Sequence, residues 1–398
     1  VFAMNILTLD ASQFSALVQT VSFILEKTGF SITPSVIETL RHSCSELDRE
    51  ELSVLIDIAI HTRKAQYQDQ YKEVLPWYFT EQTLMQCSEP SFATYAMSIL
   101  DVKGLRVVES CTGAGMHALS ALKEGAAEVM SHETNPVIGY IATINAGLHG
   151  YVLEPTIMDG ALANVSSEDI FWADPSRRKD MQHRKGLTGY YSPELEVLIS
   201  KARMSKRGGI KIAPGERIEG DLTREFLGIG RECREQILWF HTSIIDGQVT
   251  LIDKQKTFIP QGAELIPDLV GHESIAQYQY ILEPHPALIR GSLSANYAEF
   301  GIAVFDRNIA YGLSHEQKDI DWYVHFNILH CERFSRKRLQ ELLLELDWNA
   351  KTEIKKRGFP MEPDEVRKQL KFSESDLAGV IILTRCNDDH VMILCKRI

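Results

Sequence analysis

Residues 106–115 read Arg-Val-Val-Glu-Ser-Cys-Thr-Gly-Ala-Gly. An apolar run of strand type leads into a turn with two glycines, and helix-forming residues follow from His117 to Leu122. Gly113 and Gly115 let the backbone approach a ligand where a Cβ would obstruct it. The first turn of the new helix offers N–H groups that have no partner inside the helix. Eighteen residues after Gly115, a second strand-like run ends in Glu133. A carboxylate at that place can accept hydrogen bonds from both hydroxyls of a ribose. Glycine turn followed by acidic strand end is the pattern of a site for a nucleoside-containing cofactor.

Two kinds of cofactor fit the pattern. Gly113-x-Gly115-x-x-Ala118 also matches the dinucleotide fingerprint, which alone carries little weight. Three further acids favour S-adenosylmethionine (SAM) over a nicotinamide dinucleotide. Glu109 closes the first strand four residues before Gly113; it suits a cationic sulfonium amino acid and would repel a pyrophosphate. Asp159, in Met158-Asp159-Gly160, follows the third strand and is placed to meet an adenine amino group. Asp174-Pro175 ends the fourth strand, at the edge where open α/β sheets bind ligands. Cys111 is expected to line the cofactor site as a small space-filling side chain, not as a reactive thiol. His117 and His132 have no sequence partner that would make them catalytic. His285, between two prolines and near Glu283, is a minor site candidate. Trp172 and Trp239 read as core.

The elements that must position these residues follow from periodicity. Leu105–Glu109, Glu128–Ser131, Leu153–Ile157, Asp169–Ala173 and Gly209–Ala213 read as strands separated by helices, which implies a parallel sheet covered on both faces. Gln236–Ile245 and Gln248–Asp253 flank Asp246-Gly247, a strong hairpin signal. Ahead of the sheet, Phe14, Leu17, Val18, Val21, Ile24 and Leu25 form one helical face, with Asp10 and Gln13 as a capping box. A second helix is expected after Ser35. A third follows Asp48, with Glu51 three residues on. Ala287–Phe300 reads as a helix. From Trp322 the order is strand, helix capped by Ser335, strand, helix, then a hairpin of Val380–Thr384 and His390–Leu394 around Asn387-Asp388-Asp389. The expected domains are 1–78 (helical), 79–265 (cofactor-binding sheet), 266–322 (connection) and 323–398 (α+β).

Composition narrows the class. The chain has 398 residues, 44% hydrophobic and 24% charged, which suits two or three globular domains and excludes a disordered or low-complexity chain. No apolar run reaches the roughly 18 residues of a membrane-spanning helix. No basic stretch with an apolar core opens the chain, so no signal peptide is expected, and Met4 reads as the natural start. Seven cysteines, odd in number, widely spaced and without a CxxC, point to reduced thiols in the cytoplasm. Net charge is −12. That total speaks against a general nucleic-acid binder, yet residues 177–217 hold 11 Lys or Arg against 4 Asp or Glu. A local contact beside Asp174 is therefore expected. The tail, 323–398, is nearly balanced with 14 basic and 12 acidic residues.

Residues 105–175 resemble the class I SAM-dependent methyltransferases. Residues 107–115 resemble their first motif, His132-Glu133-Thr134-Asn135 their second, and Asn145 the Asn of the following helix. More of the chain, most of 80–398, resembles bacterial methyltransferases with a C-terminal THUMP-like domain. The matching segments are Gln86-Cys87-Ser88-Glu89 followed by Ala93 and Tyr95, Asp174-Pro175-Ser176-Arg177-Arg178, Ile354–Gly358, Pro363–Leu370 and Ile382–Arg385.

The resemblance implies a Rossmann-like α/β methyltransferase sheet, with parallel strands plus an antiparallel hairpin. An N-terminal helical domain and a C-terminal α+β THUMP-like domain flank it. It implies SAM as cofactor, held by Glu109, Cys111, Gly113, Gly115, Glu133, Asn135 and Asp159. It implies an activity of class EC 2.1.1, with Asp174 and Pro175 at the transfer site, Arg177, Arg178 and Lys179 on substrate phosphates, and RNA as the partner. The chain departs from amino-methylating enzymes in having Ser176 and Arg177 where those carry a second proline and an aromatic ring. It departs from uridine-carbon enzymes in having no cysteine between Pro175 and Cys233. The target atom is therefore open. A small-molecule or protein methyltransferase, or a non-catalytic SAM-binding adaptor, are the alternatives.

Overall fold

The computed structural model describes residues 5–74, 76–177, 191–261 and 266–398; Arg178, Lys179, Arg184 and Lys185 of the basic run lie outside the described residues. The chain divides into two compact units. One runs to Thr223 and includes Gln236–Ile244; the other comprises Arg224–Glu235 and Ile245–Ile398.

The first unit opens with three helices, α1 (Ala11–Glu26), α2 (Pro34–Ser43) and α3 (Arg49–Gln66). Each starts where local chemistry starts it. Asp10 accepts from the Gln13 N–H, Thr33 from Val36 and Asp48 from Glu50 and Glu51; Gln13 and Glu51 return the bond and close capping boxes. Glu51 is buried and uses both oxygens, taking the N–H of Asp48 at 2.9 Å and that of Ile6 at 3.1 Å. The apolar stripes of the three helices meet in one core of Phe14, Val18, Val21, Leu25, Leu40, Leu55 and Ile58. That core also takes in Tyr78, Ile141 and Ile144, and the Phe14 ring meets Tyr78 and Tyr140 edge-on at 5.4 and 5.5 Å. Asp48→Ala is expected to cost about 1 kcal/mol of stability, read as a lower urea midpoint with unchanged slope.

After α4 (Glu81–Gln86) and α5 (Pro90–Leu100) the alternating segment begins: β1 (Arg106–Ser110), α6 (Met116–Lys123), β2 (Glu128–Glu133), α7 (Pro136–Leu148), β3 (Thr156–Ile157) and β4 (Ile170–Ala173). The strands β5 (Ser176–Arg177) and β6 (Tyr191–Ser192) form a separate antiparallel ribbon. Then come α8 (Leu195–Met204), β7 (Arg207–Ile212), β8 (Thr223–Ile229), which belongs to the second unit from Arg224 on, and β9 (Glu232–Phe240), which belongs to the first from Gln236 on. Within this unit the sheet order is β3-β2-β1-β4-β7-β9, parallel except for β9, which runs antiparallel to β7. The third strand is shorter than the sequence suggests: only Thr156 and Ile157 pair, both in register with the end of β2. Arg106, at the start of β1, clamps the buried Asp169 beside β4 with two bonds of 2.7 and 2.8 Å.

The second unit carries β10 (Gln248–Leu251) and β11 (Lys256–Phe258), with β10 parallel to β8 and antiparallel to β11. This corrects the expected hairpin. Asp246-Gly247 does not close 236–245 onto 248–253. Instead Gly230 and Arg231 join β8 to its neighbour β9, and Asp246 takes two bonds from the Arg224 guanidinium at 2.8 and 2.7 Å.

The segment 266–322, read as a connection, builds sheet. It supplies α9 (His272–Ile275), β12 (Tyr280–Pro284), α10 (Pro286–Arg290), α11 (Leu293–Glu299) and β13 (Gly312–Ser314). The helix expected over 287–300 is two short ones, parted at Gly291 and Ser292. Gly291 approaches β10 and β8 so closely that a Cβ there would lie 2.6 Å from Val249 and 3.0 Å from Phe226.

The remainder is β14 (Tyr323–Arg333), α12 (Arg336–Glu345), β15 (Glu353–Arg357), α13 (Pro363–Lys368), β16 (Val380–Cys386) and β17 (Asp389–Arg397). These strands complete a six-stranded sheet of order β13-β12-β14-β17-β16-β15. The closing hairpin and the Ser335 cap, which accepts from the Arg338 N–H, are as the sequence predicts. One core of this unit joins α12 and α13 to β15–β17 through Leu339, Leu343, Val366, Ile381 and Leu394. Another gathers Ile281, Phe305, Tyr311, Phe326 and Ile393. Among the described residues no helix is long and apolar enough to cross a membrane.

Candidate active site

The strand order reverses direction at β1. From β1 the chain proceeds outward to β2 and β3, then returns to the other side of β1 for β4 and β7. The connections leaving β1 and β4 therefore part at their carboxyl ends, where open α/β sheets take ligands. The two ends are in register: Ser110 pairs with Ala173, and the Asp174 N–H donates to the Ser110 carbonyl at 3.3 Å. Glu109, the glycine turn, Glu133 and Asp174 all lie along this one edge.

Glu109 is 2% exposed. Ser131, opposite it on β2, donates to its carboxylate at 2.8 Å. Burial pushes the Glu109 carboxyl up to about 7, against the lowering effect of the Ser131 and Thr112 hydrogen bonds, with Asp174 and Glu133 adding like charge. A buried acid with few donors and two acidic neighbours is an environment that a cation would relieve.

The turn after β1 is held by one carbonyl. That of His132 accepts the N–H groups of Cys111 and Thr112, both at 3.1 Å. To make this turn Cys111 adopts φ +66°, where a non-glycine residue is strained. Gly113 stands at φ +56°, and none of the described residues comes within 4 Å of where its Cβ would be. Gly115, at φ +89°, serves packing: a Cβ there would lie 3.1 Å from the Ala142 Cβ of α7. Asn145, buried in α7, fixes the turn from behind. Its amide donates to the carbonyls of Ala114 at 3.0 Å and Tyr78 at 3.1 Å, and accepts the Tyr78 N–H at 2.8 Å.

Glu133 is half-buried and reaches across the turn; its carboxylate accepts the N–H of Gly113 at 3.1 Å and of Asn135 at 3.0 Å. The Asn135 side chain caps α7, accepting from Val137 and Ile138. Exposed Asp159 accepts the Ala161 N–H at 2.8 Å and so begins a short 3-10 turn beside β3. Glu133 and Asp159 are thus partly occupied by backbone donors, which hold their carboxylates in place.

Asp174 meets a partner that the sequence reading did not name. Lys211, on β7 next to β4, donates to its Oδ2 at 2.8 Å and to the Ser88 hydroxyl at 2.8 Å. The two charged side chains are 17% and 23% exposed. Ser88 and Glu89, just ahead of α5, are buried, so the Gln86–Glu89 segment reaches the site through Lys211. A signal existed: a lysine between two isoleucines in a strand covered on both faces is an exception that needs a partner. Pro175 is buried, and the β5–β6 ribbon starts directly after it.

The basic run is not a single surface. Lys201 donates to the Ala163 carbonyl, Arg207 to Leu100 and Asp101, and Lys211 to Asp174, so these three charges are spent within the unit. Arg177 lies on β5, whereas Arg178 and Lys179 fall outside the described residues. His117 is buried against Trp172, with ring centroids 4.5 Å apart, and its pKa is lowered well below the usual value by burial and by Lys211. His285 is fully buried and caps α10.

Comparison with known proteins bears on the whole chain. Residues 325–397 match the family model described as THUMP domain-like. The crystal structure of a presumed methyltransferase from Porphyromonas gingivalis W83 superposes with a TM-score of 0.66 at 16% identity, over 98% of this chain and 99% of that one. A Thermus thermophilus 16S rRNA methyltransferase, solved with AdoMet and guanosine, is matched over 40% of this chain and 43% of its own at 14% identity, with a TM-score of 0.30. Magnesium protoporphyrin IX methyltransferase from Synechocystis PCC 6803, solved with bound SAM, is matched over 46% of this chain and 95% of its own at 15% identity, with a TM-score of 0.30. Among curated proteins none is similar enough to count as a relative. Over nearly its whole length, then, this chain shares the fold of that presumed methyltransferase, and residues 325–397 resemble a THUMP domain.

Proposed function

We propose that this protein is a SAM-dependent methyltransferase that places a methyl group on a nucleophile of RNA. One observation carries the reading: the carboxyl edge of β1, β2 and β4 brings together a glycine turn, two acidic side chains and Asp174. When bound, SAM supplies a methyl group made electrophilic by its sulfonium. Glu109 would hold the cationic amino-acid end, Glu133 the ribose hydroxyls and Asp159 the adenine amino group. Cys111 and Gly113 would keep the backbone close to the cofactor, Gly115 would support that turn by packing on α7, and Asn135 would complete the edge beside Glu133. Asp174 would accept the hydrogen bond and then the proton of the acceptor, on a carboxylate whose Oδ2 is held by Lys211. The Pro175 carbonyl would orient an amine. The protein's main contribution is alignment, worth roughly 7–11 kcal/mol of barrier in well-oriented systems.

RNA is favoured over other acceptors by two features. THUMP domains, which residues 325–397 resemble, belong to RNA-modifying enzymes. The chain also concentrates Arg177, Arg178, Lys179, Arg184 and Lys185 just after Asp174, where they would meet phosphates.

Isothermal titration with SAM tests the core of the reading; absence of binding would remove it. Glu133→Ala should weaken SAM about tenfold or more through lost charge-assisted bonds, and unchanged affinity would rule out the ribose role. The acceptor is tested with tritium-labelled SAM and cellular fractions. Label in RNA supports the proposal, label in protein or small molecules shifts the substrate class, and binding without transfer identifies an adaptor.

A further inference from the structure

The C-terminal unit holds a cluster of cations that methyl transfer leaves without a task. Lys355 and Arg357 lie on β15, Arg397 on β17, and Arg231 in the turn between β8 and β9. Glu283, on β12, sits among them: its carboxylate accepts from Lys355 Nζ at 2.8 Å and from Arg357 Nη2 at 3.2 Å. Glu353 accepts from Arg397 at 2.7 Å and lies 3.4 Å from Lys355. Two carboxylates thus serve four cations, so the cluster keeps an excess of positive charge.

The cations are held in fixed attitudes. Arg357 lies over the Tyr311 ring at 4.6 Å, and Lys355 and Arg397 lie over Phe326 at 5.6 and 5.3 Å. A ring face beneath a guanidinium fixes its plane, and Arg357 is fixed further by the Ala310 carbonyl, to which its Nη1 donates at 2.7 Å. Among the described residues Arg231 has only long contacts, 3.4 and 3.5 Å, to the carbonyls of Glu283 and Pro284. Partial desolvation, opposed by Glu283 and helped by Arg397 and Arg357, lowers its pKa, so like charges already crowd it.

The turn that carries Arg231 is anchored by His285. Its Nδ1 accepts the Ala287 N–H at 3.1 Å, so Nε2 carries the hydrogen and donates to the Gly230 carbonyl at 3.1 Å. Glu283-Pro284-His285, conspicuous in the sequence, therefore organises the whole cluster. Its carboxylate spaces two cations, its carbonyls face Arg231, and its imidazole fixes the neighbouring residue.

We propose that Arg231, Arg357 and Arg397, with Lys355, form a phosphate-binding site preorganised by Glu283 and His285. Planar guanidinium edges suit a phosphoryl group, to which they can donate in pairs. The phosphate belongs either to an RNA backbone or to a free nucleotide or pyrophosphate. The RNA source rests on the proposed function; phosphate recognition itself does not.

The test uses the full chain, with pyrophosphate as one probe and total RNA as the other, on wild type and on R231A, R397A and the double variant. Arg231 and Arg397 are exposed, so the fold should persist, which a thermal melt checks. The double variant should lose about tenfold or more in affinity. If RNA is the source, the slope of log affinity against log salt should fall by about one for each arginine removed. Loss of pyrophosphate binding with an unchanged RNA slope supports the site and assigns it to free phosphates. Equal binding of both probes by wild type and double variant, or binding of neither by wild type, overturns the proposal. SAM titration of the same samples reports separately on the methyltransferase reading.

Discussion

Asp174→Asn is expected to lower methyl transfer by roughly 10²–10⁴, the usual worth of a positioned acid or base, while SAM affinity stays near that of wild type. The substitution keeps the volume and one oxygen acceptor but removes the charge proposed to take the acceptor's proton. It also breaks the 2.8 Å ion pair with Lys211. Both side chains are mostly out of water, so about 1–3 kcal/mol of stability should go with it, visible as a lower melting temperature. The two effects separate cleanly because a destabilised but folded variant still transfers at its full rate below its melting point. Lys211→Gln should also reduce transfer, by less, since Asp174 keeps its charge and loses only its orientation. Wild-type turnover by Asp174→Asn would remove Asp174 from the chemistry.

SAM binding should strengthen as pH rises through about 7, and Glu109→Gln should abolish that dependence. The free Glu109 carboxyl is pushed up to about 7 by burial, so below that pH the pocket presents a neutral acid to a cationic ligand. Above it the pocket presents an anion, and binding near neutrality releases a proton. The effect on stability has the opposite sign. A carboxyl raised from its ordinary 4.5 contributes stability that is fully present below pH 4.5 and lost as pH rises through about 7. The loss is on the order of 3 kcal/mol. Glu109→Gln, which still accepts the Ser131 hydrogen bond, should therefore be more stable than wild type at pH 8 while binding SAM more weakly. Titration calorimetry in buffers of different ionisation enthalpy reads the proton, and thermal melts at pH 5 and pH 8 read the stability. Pre-organised charge at the expense of stability is a familiar arrangement in binding sites. A pH-independent affinity in wild type would mean that Glu109 does not face the cation.

Much of this site is legible in the sequence because its parts are local. Strand, glycine turn and helix start occupy one stretch of ten residues, and φ > 0 at Gly113 and Gly115 follows from the turn they must make. The capping boxes at Asp10 and Asp48 are equally local, each a bond between residues three apart. Asp246-Gly247 failed as a hairpin signal because a turn dipeptide reports only that the chain reverses. Here the Arg224–Asp246 pair and the parallel seat beside β8 override it. The single helix expected over 287–300 failed at Gly291, where close approach to Val249 and Phe226 outweighs helical continuity.

The crossover sheet, the glycine turn, the acids near its strand ends and the β16–β17 hairpin were legible from residue order alone, since each depends on residues within one or two elements. Tertiary structure alone decided what becomes of charge. Lys211 lies 37 residues from Asp174, and Lys355 lies 72 residues from Glu283. Strand order brings each pair together, and no periodicity encodes strand order. The basic run of 177–217 shows the difference most plainly. Counting placed eleven cations beside the site, but burial turned Lys201, Arg207 and Lys211 inward to carbonyls and a carboxylate. A charge faces a partner only where the fold leaves it in water, and inside the protein it must be paired.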